Sequence, residues 1–157
     1  MSTWPVDMLT MKTRYALQAL TQLAERPGST VLIADLAQRG RIPRKFLEAI
    51  LRELKQHGLL TSQRGRRGGY SLSLAAGEIT LSSVVQALNG ALTPAPFAHR
   101  AGHQPCEECR NGRACSVRLV LDDLHDATAR VLEGTTLADL ARRTHEARDP
   151  SPLKYAI

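Results

Sequence analysis

The chain has 157 residues, a formal net charge of +6, 43% hydrophobic but only 4% aromatic residues, and three cysteines. That length suits one domain, or one domain with an appendage, and is enough for a buried core. No apolar run approaches the ~20 residues of a bilayer span, the N-terminus lacks the basic-then-apolar layout of a secretory signal, and an odd cysteine count closes no disulfide framework; a cytoplasmic chain without a membrane partner is expected.

Charge is divided unevenly. Residues 1–75 hold 12 Lys and Arg against 5 Asp and Glu, whereas residues 76–157 hold 9 against 10. A phosphate-binding half joined to a neutral sensing or dimerising half has this asymmetry. Residues 1–9, with Trp4-Pro5, read as an extension. A first helix is expected from Thr10 to Arg26, with Tyr15, Leu17, Leu20, Leu23 and Ala24 inward and Pro27-Gly28 as its break. A second helix buries Ile33, Leu36 and Ala37 and turns Asp35 and Gln38 outward, and Arg39-Gly40-Arg41 forms the turn that follows.

The third helix is the most informative. Leu47, Ile50, Leu51 and Leu54 fall at i, i+3, i+4 and i+7, one apolar stripe, and Gly58 stops it. Its other face carries Arg44, Lys45, Glu48, Arg52 and Lys55, with cations in excess. Starting at Pro43-Arg44-Lys45-Phe46 after a short turn, it suits the second helix of a helix-turn-helix, whose first turn enters the DNA major groove. The competing reading is a solvated surface face. Beyond Leu59-Leu60 the period becomes two: Tyr70, Leu72 and Leu74 alternate with Ser71 and Ser73 across a hairpin tipped by Arg64-Gly65-Arg66-Arg67-Gly68-Gly69. That hairpin is a wing. A single Arg-Gly copy held between strand-like runs does not suit a disordered RNA-binding tract.

A fourth helix is expected from Thr80, with Leu81, Val84, Val85 and Leu88 on one side and Asn89-Gly90 as its stop. The loop Ala91 to Gln104, with Pro94 and Pro96, delivers all three cysteines as Cys106-x2-Cys109-x5-Cys115. Clustered thiolates are soft ligands for iron-sulfur clusters, zinc or copper(I). Three are one short of four, so a thiol redox switch competes with a metal site. His103 is the best local fourth ligand, ahead of His99, Glu107, Glu108 and a partner's Asp7. An enzyme using Cys109 or Cys115 with His103 as a nucleophile pair lacks any accompanying oxyanion-hole motif. A long helix, Ser116 to Glu133, follows, with Val117, Val120, Leu121, Leu124, Ala127 and Val131 in one stripe that a second copy would cover. Gly134 ends it. Thr136 and Asp139 form a capping box for a short last helix through Leu137, Leu140 and Ala141, and Thr144 to Ile157 reads as a frayed tail.

The run Ile42-Pro43-Arg44-Lys45-Phe46-Leu47-Glu48, with Leu54, Gly58-Leu59, Ser62, Arg64-Gly65, Gly68-Gly69-Tyr70 and Leu72, resembles the winged-helix regulators that include IscR, NsrR, RirA and CymR. Thr10 and Arg14-Tyr15-Ala16-Leu17 resemble that family's first helix. Ile79-Thr80-Leu81, Val84 and Gly90 resemble its segment after the wing, and Leu137-Ala138-Asp139-Leu140 its C-terminal helix. The likeness covers roughly residues 8 to 144. It implies base contacts from Lys45, Glu48 and Arg64 and phosphate contacts from Arg44, Arg66 and Arg67. It also implies an iron-sulfur cluster, either 2Fe-2S or 4Fe-4S, on Cys106, Cys109 and Cys115. The chain departs from the C-x5-C-x5-C spacing of the cluster-binding members: Cys109 is in place, but His103 stands where the first cysteine falls. Arg118 replaces an IscR-like histidine, and Arg14 an NsrR-like aspartate from the partner.

The sequence therefore predicts a mostly α chain with a small β-hairpin wing: extension 1–9, winged helix-turn-helix 10–90, cysteine-bearing sensor loop 91–115, dimerisation helices 116–144 and tail 145–157. It predicts a homodimer that represses transcription from a palindromic operator in double-stranded DNA. Control is by an iron-sulfur cluster, or alternatively by zinc, thiol oxidation or a protein partner.

Overall fold

The computed structural model describes residues 10–65, 68–89 and 116–148. The chain there is mostly helical: α1 (Met11–Ala24), α2 (Ile33–Gly40), α3 (Arg44–Gln56), β1 (Leu60–Gln63), β2 (Gly69–Leu72), α4 (Leu81–Asn89), α5 (Ser116–Gly134) and α6 (Leu137–Arg148). α1 begins where the Thr10 hydroxyl accepts the Thr13 N–H at 3.2 Å, the side-chain cap that a first turn needs for its unpaired donors. α2 stays helical through Arg39 and Gly40, and the reversal falls on Arg41 alone, with φ 50° and ψ 43°. A left-handed arginine costs on the order of 1–2 kcal/mol. Two hydrogen bonds offset it, Arg41 N–H to the Gln38 carbonyl at 3.3 Å and Ile42 N–H to that of Ala37 at 2.9 Å. Gly40 serves packing instead, because a Cβ there would lie 2.8 Å from Ile42 Cδ1.

The stripe read on α3 is the centre of the core. Leu47, Leu51 and Leu54 are 0% exposed and Ile50 1%, packed with Leu20 of α1, Leu36 of α2 and Leu137 of α6. Each such side chain contributes roughly 1.5–3 kcal/mol of burial. β1 and β2 pair antiparallel, from Leu60 opposite Leu72 to Gln63 opposite Gly69. Val31 adds a bridge to Tyr70 through two 2.9 Å backbone hydrogen bonds, which fastens the hairpin to the segment between α1 and α2. The alternation stops one step earlier than the sequence suggests. The strand ends at Leu72, Ser73 turns back to bond the carbonyls of Leu59 and Gly58, and Leu74 is left half exposed.

α6 is fastened at its start. Leu81 N–H donates to the Thr135 carbonyl and Leu137 N–H to that of Ile79, both at 2.9 Å, joining the first turns of α4 and α6. The capping box forms as expected, with Thr136 N–H on Asp139 Oδ2 at 3.1 Å and Asp139 N–H on the Thr136 hydroxyl at 3.2 Å. α6 then runs to Arg148, past the Thr144 at which the sequence places a tail. Arg142 pairs with Asp139 and Glu146 along the helix, and Arg148 reaches Glu25, the residue that caps the end of α1, at 3.0 Å, a contact that local composition does not reveal. α5 packs on α4 but leaves Leu119, Val120, Leu124 and Val131 each more than half exposed. None of the described helices is long and apolar enough to cross a membrane.

The Asp139 carboxyl is held down from 3.8 to about 2, first by the Thr136 hydroxyl, then by the Thr136 N–H and by Arg142. A carboxyl lowered by folding stabilises the fold fully above 3.8 and loses that contribution as pH falls through about 2. Loss of the side-chain cap in Thr136→Ala should cost about 1 kcal/mol in chemical denaturation at neutral pH. The deficit of Asp139→Asn against wild type should hold down to about pH 4 and shrink below it. A deficit unchanged at pH 2.5 would refute the capping role.

Candidate nucleic-acid interface

With its apolar stripe locked inward, α3 has one face left for solvent. Arg44, Lys45 and Arg52 are exposed there, and the Glu48 carboxylate lies beside Arg44, Oε1 to Nε 3.2 Å, both side chains about half exposed or more. An i,i+4 pair this exposed is worth roughly 0.3–0.5 kcal/mol, so it orders two side chains without holding the helix together. Among the described residues Lys45, Arg52 and Arg64 have no acidic partner, so the face is net cationic where it is free. Lys55 is turned to the hairpin, with Nζ on Ser62 Oγ at 2.6 Å, and links the end of α3 to β1. Arg64 is exposed just beyond the end of β1, where the loop of the wing begins. Arg66 and Arg67 lie outside the described residues, as do His103, Cys106, Cys109 and Cys115.

The glycines of the wing each have a geometric reason. Gly65 takes φ 114°, in the region that only glycine enters freely. A Cβ on Gly68 would be driven into the Gln63 carbonyl and lie 2.8 Å from that of Gly65, and one on Gly69 would strike the Val31 carbonyl. The Gly68-Gly69 pair thus lets three backbone segments meet at one point, which is how a short hairpin stands beside α3 rather than splaying away.

Sequence reasoning missed one cluster that holds α3 in place. Lys12 of α1 pairs with Glu53 of α3 at 2.7 Å and donates to the Leu88 carbonyl at the end of α4 at 3.2 Å. Asn89 Nδ2 donates to the Thr13 hydroxyl at 3.0 Å beside it. The two members of the ion pair are 41 residues apart, so no local periodicity signals it. Phe46, in the first turn of α3, is nearly half exposed and packs edge-on against Tyr15, ring centroids 5.9 Å apart.

A recognition helix, a turn, a preceding helix and a wing make a winged helix-turn-helix, and comparisons with known proteins agree. The chain matches the Rrf2 family, described as an iron-dependent transcriptional regulator, over residues 9–143. It is 35% identical over 137 residues to an rrf2-like HTH-type transcriptional regulator of Rhodobacter capsulatus, covering 85% of this chain and 91% of that one. It is 30% identical over 160 residues to the HTH-type transcriptional regulator IscR of Cronobacter sakazakii, 95% of each. CymR, the global cysteine regulator of B. subtilis, has the same fold with a TM-score of 0.69 at 28% identity, over 85% of this chain and 95% of that one. These relatives are regulators, not enzymes.

Replacing Gly69 by alanine tests the seating of the wing. Gly69→Ala should destabilise by about 1–3 kcal/mol, as overpacking against fixed backbone does, and weaken DNA binding beyond that loss. Gly77→Ala, where a Cβ meets open space, is the control. Equal behaviour of the two variants would show that the backbone contact at Val31 is not needed.

Proposed function

Because the chain belongs to the Rrf2 family of transcriptional regulators, we propose that it is a homodimeric repressor whose affinity for a palindromic operator is set by an iron-sulfur cluster on the 91–115 segment. The observation that carries the DNA half is the outward face of α3 beside the wing: Lys45, Arg52 and Arg64 have no acidic partner among the described residues, and Glu48 lies beside Arg44. Lys45, Glu48 and Arg64 approach base edges, and Arg44, Arg52, Arg66 and Arg67 favour phosphates. The exposed stripe Val120, Leu124 and Val131 supports the dimer, since an amphipathic helix with its apolar side in water is stabilised by a matching copy. Two recognition helices would then address half-sites one DNA turn, or a multiple of it, apart.

The donor set fits the cluster. Three thiolates and His103 fall within a short stretch of chain, and no group of three or more His, Cys, Asp or Glu among the described residues offers another metal site. When bound, a cluster with three firm thiolate ligands and one exchangeable ligand supplies a metal centre open to oxidant, nitric oxide or iron supply. The chain's own residues carry the consequence. The segment enters from the end of α4, where the Leu88 carbonyl meets Lys12, and Lys12 meets Glu53 on the recognition helix. A change of packing between α4 and α5 would therefore act on α3 through contacts already in place. The C-x2-C-x5-C spacing favours one second reading, a cluster-free regulator sensing through zinc or thiol oxidation.

Specificity and affinity should separate in variants. Glu48→Ala and Arg64→Ala should each cost about 1–3 kcal/mol on the operator and relax base preference, while Arg67→Ala weakens every sequence and lowers the salt slope by about one. Equal losses on random and operator DNA for Arg64→Ala would overturn its assignment.

The ligand set has its own readout in anaerobic absorption with iron and sulfide assay. Cys106→Ala, Cys109→Ala and Cys115→Ala should each abolish the visible bands, and His103→Ala should leave a cluster that is altered or more labile. Iron-free protein with tightly bound zinc would favour the second reading.

A further inference from the structure

Arg41 is the only non-glycine residue with a positive φ among the described residues, at 50°. It stands just past the end of α2, where a left-handed reversal is ordinarily given to glycine or asparagine. The two backbone hydrogen bonds that close the turn, from Arg41 N–H and Ile42 N–H, need only main-chain atoms, so glycine would make both without the crowding at Cβ. The packing of Ile42 requires the reversal and does not require an arginine. Nor does the rest of the fold use the side chain: Arg41 is exposed and makes no ion pair or side-chain hydrogen bond among the described residues. A strained backbone that carries an idle cation points to a group kept for contact outside the chain.

The surrounding charge indicates the partner. Between Asp35 and Glu48 the chain carries Arg39, Arg41, Arg44 and Lys45 and no acid, and all four cations are exposed. Arg39 and Arg41 also line, with Arg14, a cavity of about 950 Å³ between α1, the turn and α6, whose one carboxylate, Glu25, is taken by Arg148 at 3.0 Å. Like charges gathered in this way repel one another until an anion lies among them. In a helix-turn-helix the first helix crosses the DNA backbone and the first turn of the second enters the major groove, so the turn between them passes the row of phosphates at the groove's edge. Arg41 precedes Arg44 by three residues and Pro43 between them is exposed, so the cationic surface of α3 runs on into the turn.

We propose that Arg41, with Arg39 beside it, contacts a backbone phosphate at the edge of the major groove, independently of base sequence, and so positions the first turn of α3. A guanidinium offers one phosphate two parallel donors, and the left-handed backbone sets the direction in which this one leaves the turn. Such a contact presupposes that α3 reads DNA and extends that surface to the residues before it.

The test compares Arg41→Gly, Arg41→Asn and Arg41→Lys with wild type in the full chain, by fluorescence anisotropy on operator and random duplexes over a range of salt, with urea denaturation of each. Arg41→Gly should raise the urea midpoint, since it relieves the strain, yet weaken binding to both duplexes by about tenfold and lower the salt slope by about one for each subunit bound. Arg41→Asn, which tolerates the same backbone with less freedom than glycine, should lose as much affinity, which separates lost charge from a loosened turn. Arg41→Lys should keep most of the salt slope. Wild-type affinity in Arg41→Gly, or a slope unchanged by it, would overturn the proposal, as would a loss confined to the operator, which would make Arg41 a base contact. A urea midpoint lowered by Arg41→Gly would overturn it too, by giving the side chain a structural role. Inorganic phosphate bound by wild type and not by Arg41→Asn, with DNA binding unchanged, would overturn it in favour of a free anion. If Arg64→Ala relaxes base preference while Arg41→Gly changes nothing, the turn contact fails alone; if wild type binds neither duplex, the operator reading of α3 fails with it.

Discussion

Everything described in this chain depends on where one helix puts its apolar side. Leu47, Ile50, Leu51 and Leu54 are all but fully buried, and once they face Leu20, Leu36 and Leu137 the rotation of α3 about its axis is fixed. Rotating it by even one residue would bring a cation toward the core, where an unpaired charge costs several kcal/mol. The outward face therefore follows from burial rather than from any attraction to DNA. The wing is held by the same constraint, because β1 follows α3 directly and β2 is fastened back to Val31 beside the core.

Sequence distance hides a second consequence. The core takes Leu137 from beyond the cysteine segment and Ile79, Val84 and Leu88 from before it. Its two flanking helices, α4 and α5, are packed on each other, and paired backbone hydrogen bonds between Ile79, Leu81, Thr135 and Leu137 bind the starts of α4 and α6. Under the proposed control, a signal arriving between residues 89 and 116 would enter where α4 and α5 pack together. The Lys12 bridge from the Leu88 carbonyl to Glu53 gives it a short route to the recognition helix. Its ion pair, at about one-third side-chain exposure, contributes little stability on its own, which suits a contact that can be remade at small cost.

What was legible in the sequence was local. The α3 stripe, the Thr136–Asp139 box and the glycine-tipped hairpin each declare themselves within a few residues, because periodicity, capping and turn chemistry act over one or two turns. What was illegible depends on residues far apart. The reversal at Arg41 is chosen by the packing of Ile42, and the extension of α6 to Arg148 is supported by Glu25 at the other end of the chain. Leu74 alternates as a strand residue should, yet the strand stops before it because Ser73 is taken by Gly58 and Leu59. The basic face of α3 was readable, but its Arg44–Glu48 pairing and the Lys12–Glu53 clamp were not, since charge spacing alone does not say which partners meet.

The central claim is that the cysteine segment sets the affinity of the α3 surface for DNA. Operator affinity of the anaerobic cluster-loaded protein, the apo-protein and Cys109→Ala decides it directly. A loaded protein differing hundredfold from both others requires about 2.7 kcal/mol of unequal binding to the two conformations, which is within the range of coupling between sites. The account predicts such a difference, with apo-protein and Cys109→Ala alike. Identical affinities for all three would contradict it and leave the cysteines a structural role.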